Sequence, residues 1–166
     1  ARADYGGGNS NFAVLRFNTN GTLDTSFGTN GIVITDINDN GNKDWANAIA
    51  INKNVGDHYG KIVVVGTTKQ DGTNPDAAVV VYNPDGIIDH QEVIDLSTVP
   101  NPNTVEEIYG VAIQADNKIV IAGRTNNDFF VARLKHLPPL AWILDDTFDT
   151  DGIATATFGT GSVAQA

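Results

Sequence analysis

The chain has 166 residues, 41% of them hydrophobic and 18% charged, a length and apolar content that suit one good core and exclude general disorder. Its 20 acidic residues against 10 basic ones give a formal net charge of −10, which repels phosphate backbones and anionic lipid surfaces, so nucleic acid is not expected as a partner. No apolar run approaches the roughly 18 residues of a membrane span and no basic, apolar leader is present, so neither membrane insertion nor a signal peptide is expected; the lack of Cys removes disulfides and thiolate sites, and the lack of Met suits a chain cut from a longer precursor.

Gly occupies 17 positions beside many Asn, Asp and Thr, a balance that favours short strands separated by tight turns. In chain order, residues 1–10 read as a loop that ends a preceding repeat. The run Phe12–Phe17 alternates Ala13, Leu15 and Phe17 with Phe12, Val14 and Arg16, and Asn20-Gly21 then supplies a pair that tolerates positive φ for a hairpin turn. DTSFGTNGI follows at 24–32 and leads into a strand at Ile32–Thr35. Next come ANAIAI at 46–51, a loop, and GKIVVVG at 60–66, a β-branched run of the length of a buried strand. DAAVVVYNPDGIID at 76–89 repeats the segment 11–24, YGVAIQADNKIVIAG at 109–123 repeats 46–66 in a tighter form, and DFFVAR at 128–133 with DDTFDTDGI at 145–153 starts a third copy. Val105–Ala112 has some helical periodicity, but Gly110 and the match to the other copy read as the entry to a strand.

The equivalent residues Phe12, Ala77 and Phe129 lie 65 and 52 positions apart, and each unit holds four short strands, as a propeller blade requires. The units run 1–10 (end of a preceding repeat), 11–75, 76–127 and 128–166 (partial). The expected fold is all-β: a β-propeller-like array of about three four-stranded blades, incomplete at both ends. Three blades do not close a ring, so neighbouring repeats or copies of the same chain are the expected partners.

The segment Phe12–Gly28, FAVLRFNTNGTLDTSFG, with Ala48–Ile51 and Lys61–Gly66, resembles the delta-60 repeat of bacterial multi-repeat proteins, and the later copies resemble it again. The resemblance implies a propeller architecture and an extracellular or cell-surface location in a bacterium, without a shared activity. One departure stands out. From Arg133 to Asp145 the third copy is four residues longer than the first copy between Arg16 and Asp24, and Leu137–Trp142 reads either as an apolar contact loop or as a packed local insertion.

Chemistry-bearing motifs are few. Asp36, Asn38, Asn40 and Gly41 follow the opening of a calcium loop, continued by Asn42 and Asp44, so Ca2+ is a candidate cofactor. Position twelve is Asn47 instead of a bidentate Glu and the flanks are strands, so the same residues also suit an Asx-rich turn. No nucleophile motif surrounds the serines, His58, His90 and His136 fall in unrelated loops, and Asp145-Asp146 and Glu106-Glu107 are strand neighbours that point to opposite faces. No catalytic residue is expected. Trp45, Tyr59, Tyr109 and Trp142 are candidate platforms for a glycan or protein partner; alternatively Trp45 packs under its own loop and both tyrosines begin inner strands. These features suit a non-enzymatic extracellular structural or adhesion module within a larger chain or assembly. The alternative is the accessory carbohydrate-binding propeller of a secreted glycan-active enzyme.

Overall fold

A computed structural model describes residues 2–6, 9–37, 41, 43–69, 74–94, 105–126, 128–137 and 141–156. Among these residues no α-helix forms, and the strands are β1 (Arg2–Gly6), β2 (Asn9–Leu15), β3 (Ile32–Thr35), β4 (Asp44–Ile51), β5 (Ile62–Thr68), β6 (Asp76–Tyr82), β7 (Ile88–Ile94), β8 (Glu106–Ile113), β9 (Ile119–Thr125), β10 (Asp128–Leu137), β11 (Ala141–Leu144) and β12 (Ile153–Ala156). They make three antiparallel sheets: β1-β2-β3, then β4-β5-β6-β7, then β8-β9-β10 with both β11 and β12 on the far edge of β10. This is the all-β, propeller-like array of three blades, open rather than closed.

The sheets stack in chain order, β2 against β4 and β4 with β5 against β8. The middle sheet is therefore covered on both faces, and the alternation of a strand sorts its side chains between two cores. Val63, Val65, Ala77, Val79 and Val81 face the third sheet, where they meet Ile108, Ile119, Ile121 and Phe130. Ile62, Val64, Ala78, Val80 and Tyr82 face the first sheet, where they meet Phe12, Val14, Phe27 and Ile37. Two-sided burial explains why KIVVVG and AAVVVY are unbroken apolar runs, each buried Val or Ile contributing roughly 1.5–3 kcal/mol. Inside the second core the Tyr82 hydroxyl reaches Thr35 Oγ1 at 2.7 Å, and burial pushes the Tyr82 phenol up to about 12.

The repeated sequence folds as a repeated constellation. In the first copy Arg16 Nε donates to Asp24 Oδ2 at 2.8 Å, Ser26 Oγ donates to Asp24 Oδ1 at 2.6 Å, and the Arg16 guanidinium lies 4.8 Å from the centre of the Phe27 ring. In the third, Arg133 Nε donates to Asp145 Oδ2 at 2.8 Å, Thr147 Oγ1 donates to Asp145 Oδ1 at 2.7 Å, and Arg133 lies 4.9 Å from the Phe148 ring. Backbone bonds match too: Arg16 N to Gly31 O at 3.0 Å corresponds to Arg133 N to Gly152 O at 3.0 Å. The motif D-x-S/T-F thus wraps a carboxylate around an arginine and fixes the corner between adjacent strands. In the first copy that corner also docks the next sheet, since Arg16 donates to Pro84 O and Gly28 N to Asp85 O.

Two sequence expectations change. Residues Arg2–Gly6, read as loop, form β1 and pair with β2 where β5 pairs with β6, because a free sheet edge satisfies their backbone groups. Each sheet draws strands from two sequence units: in the second, β4 and β5 from 11–75 join β6 and β7 from 76–127. The extra residues after Arg133 lengthen β10, which carries β12 on Phe129–Ala132 and β11 on Leu134–Leu137.

Candidate functional site

A groove of about 380 Å3 opens between the second and third sheets, lined by Trp45, Asn47, Thr67, Lys69, Pro75, Glu107 and Tyr109. Two matching β-bulges build it. On β4 the register against β5 shifts between Ala46 and Ala48, so Asn47 is the extra residue; on β8 the register against β9 shifts between Ile108 and Gly110, so Tyr109 is the extra residue. A bulge bends its strand and re-aims the side chain it carries, which here turns Asn47 and Tyr109 into one cleft. Gly66 and Gly123 face the two bulges, and a Cβ on either would sit 1.8 Å from Trp45 O or 1.9 Å from Glu107 O. Only glycine permits that approach.

Polar contacts fix the walls. Asn47 Nδ2 donates to Ile108 O at 2.8 Å and ties the two sheets together at the groove floor. Glu107 Oε2 accepts from the Tyr109 hydroxyl and from Arg124 Nε. Burial raises the Glu107 carboxyl, but these two donors outweigh it and hold the group below its ordinary range, while burial and the Glu107 carboxylate push the Tyr109 phenol up. A carboxylate held ionised in this way has no proton to give near neutral pH. Thr67 is 3% exposed and its Oγ1 has no hydrogen-bond partner, so a hydroxyl at the groove wall is left unsatisfied. Among the described residues no carboxylate pairs with Lys69. The arrangement offers two aromatic surfaces, the Lys69 ammonium and the Asn47 amide, which together suit a polar ligand with apolar faces.

Of the four aromatic candidates, the structure brings Trp45 and Tyr109 together in this groove. Tyr59 lies instead in the β4–β5 loop, 64% exposed, and begins no strand. Trp142 is 5% exposed and packs against His58 and His136, so it is no exposed contact residue, whereas Leu137 of the same stretch is 52% exposed and residues 138–140 lie outside the described residues. The same cluster corrects the reading of the histidines as unrelated, since His58 in the β4–β5 loop and His136 on β10 meet across the sheet boundary, while His90 stands on β7.

In the Asx-rich loop, Asp36 Oδ2 accepts from Gly41 N at 3.2 Å, and Asp44, fully buried, accepts from Ile37 N at 2.9 Å through Oδ2. Burial raises the Asp44 carboxyl, and the Asp36 charge adds to the rise. Asn38, Asn40 and Asn42 lie outside the described residues. Among the described residues no group of three His, Cys, Asp or Glu side chains is placed to hold a metal ion, and no helix is long and apolar enough to cross a membrane.

Sequence reasoning missed Asn47, Thr67, Lys69 and Glu107. A signal was present: Gly66 and Gly123 end the two equivalent runs KIVVVG and KIVIAG, and a glycine at a fixed strand position marks a bulge opposite it.

The family model described as a domain of unknown function (DUF5122) beta-propeller matches residues 1–27, 60–90 and 114–135. No curated protein and no solved structure matches the chain. The first match takes in β1 and β2, the second β5, β6 and the start of β7, and the third β9 and most of β10. The chain is thus similar to that β-propeller domain in three successive stretches, one in each of its three sheets.

Proposed function

We propose that the chain is a non-enzymatic binding module of an extracellular or cell-surface bacterial protein, a piece of a longer propeller of the delta-60 repeat type, and that its groove takes carbohydrate. The observation that carries this reading is the pairing of Trp45 and Tyr109, from two different sheets, around Asn47 and Lys69. Sugar rings present apolar C–H faces to aromatic platforms and hydroxyls to such donors and acceptors. Neighbouring repeats or copies of the chain are the partners that would complete the three-stranded first sheet beside β1, where the second sheet carries β4. A glycan array is expected to show selective binding that weakens about tenfold or more in Trp45→Ala and Tyr109→Ala. An array on which the parent chain binds no sugar sinks the proposal.

A calcium ion in the 36–44 loop is a separate proposal, resting on the D-x-N-x-N-G pattern that Asp36 opens and Asp44 follows. Asp44 accepts from the Ile37 amide through Oδ2 alone, and its Oδ1, which has no hydrogen-bond partner, is the oxygen it would offer the ion. The expected result is a melting temperature that rises by a few degrees on adding calcium, and that no longer responds in Asp36→Ala. An unmoved melting temperature in the parent chain removes calcium from the account.

A further inference from the structure

Three rings meet where the second and third sheets touch. His58 of the β4–β5 loop and His136 of β10 lie edge to face with ring centroids 4.7 Å apart, and Trp142 of β11 stands 5.5 Å from the first and 5.2 Å from the second. Two nitrogens in the cluster, His58 Nδ1 and Trp142 Nε1, are buried without a hydrogen-bond partner. The contact depends on the lengthened β10–β11 hairpin of the third copy, in which His136 pairs with Trp142 across the ladder and β11 also touches β7.

We propose that this ring cluster is a proton-operated latch between two blades, closed while both imidazoles are neutral and released when they take up protons. A neutral imidazole packs against another ring at little cost, but an imidazolium carries two N–H donors that each require an acceptor, and two such cations this close repel. The surroundings offer little compensation. Around His58 stand Asp57 and Lys61 of its own loop, Asp89 of β7 and His136 of β10. Asp89 is already paired with Lys61 at 2.6 Å. His90 of β7 stands 3.4 Å from Glu92, and Lys135, beside His136, is paired with Asp146.

The sign follows from the same geometry. Burial first, then His136 and Lys61, hold the His58 imidazole below its ordinary value. A docked state with a depressed histidine pKa keeps its full stability above the free value, near 6.5, and loses it as pH falls below that. The rest of the loop is held by groups that do not titrate: Asn52 Nδ2 donates to Asn117 Oδ1 at 2.9 Å and Asn54 Nδ2 to Gln114 O at 2.7 Å. Protonation therefore parts the rings while the loop stays tethered to the β8–β9 turn.

Trp142 reports on the latch once Trp45→Phe removes the other indole. Its emission is expected to shift to the red and lose intensity in one step between pH 7 and pH 5, with the far-ultraviolet circular dichroism of the strands unchanged. The step is expected to vanish in His58→Gln/His136→Gln. A flat trace in the parent, or a step that survives the double substitution, overturns the latch. Should these variants fold poorly, histidine nuclear magnetic resonance titration of the unmodified chain decides: a depressed midpoint for His58 supports it, and a His58 midpoint near 6.5 overturns it.

Discussion

Asp145→Ala is expected to lower the melting temperature by roughly 10 °C, the effect of leaving partly buried cations without their shared counterion. The Asp145 side chain is 1% exposed and sits among three cations: Arg133 Nε at 2.8 Å, Lys118 Nζ at 3.0 Å and Lys135 Nζ at 3.6 Å. Thr147 adds its hydroxyl at 2.7 Å and its amide at 3.2 Å. Removing the carboxylate strips one turn and one strand of their shared anchor and leaves Arg133 and Lys118, neither fully exposed, facing each other. Asp24→Ala removes the equivalent carboxylate of the first copy, but Asp24 is 24% exposed and among the described residues pairs with Arg16 alone, so the expected loss is a few degrees. Thermal melts of the two variants side by side check the ranking; equal losses would mean that burial does not set the difference.

The same carboxylate makes stability depend on acid. Burial raises the Asp145 carboxyl, yet the Thr147, Lys118 and Arg133 hydrogen bonds outweigh it and hold the group far below the ordinary carboxylate range. A depressed folded-state pKa contributes stability that is present above the unfolded value, near 3.9, and is lost as pH falls below it. Asp145→Asn is therefore expected to flatten the acid limb of a stability profile while costing less than Asp145→Ala at neutral pH, because the amide keeps the shape and part of the hydrogen bonding.

Gly66→Ala carries the second large effect, about 3 kcal/mol or more, enough to prevent folding in a marginal background. The added Cβ would lie 1.8 Å from Trp45 O and 3.0 Å from Ala46 Cα, and both neighbours are backbone, which cannot swing aside as a long side chain does. Relief requires β4 to move off β5 at its bulge, and that bulge aims Asn47 and carries Trp45. A urea unfolding midpoint measures the stability loss. A milder substitution at the same bulge, Asn47→Ser, separates the two roles: it breaks the 2.8 Å bond to Ile108 O and leaves the backbone free to keep its register.

Much of this was legible in the residues themselves. The strands at Phe12, Ile32, Ile62, Ala77, Ile119 and Phe129 follow from β-branched and aromatic runs between Asn-Gly and Asp-Gly turns, and their recurrence gave the three blades. The grouping of strands into sheets was not legible, because 11–75 and 76–127 are units of sequence similarity, whereas hydrogen bonding joins β5 to β6 across their boundary. Of the groove, Trp45 and Tyr109 stood out as aromatics, while Thr67 and Lys69 look in sequence like any strand end.

What the sequence by itself determined is the local and periodic part of the molecule: all-β character, tight turns, a repeated strand pattern, and the D-x-S/T-F corners that Asp24 and Asp145 close. Period-two burial and turn chemistry act over a few residues, so they can be read from a few residues. The tertiary structure decided which distant residues share a surface. Asn47 and Tyr109 are 62 positions apart and His58 and His136 are 78 apart, and stacking one sheet on the next brings each pair together. That stacking is set by cores whose shape depends on every strand at once, so no single segment carries the information.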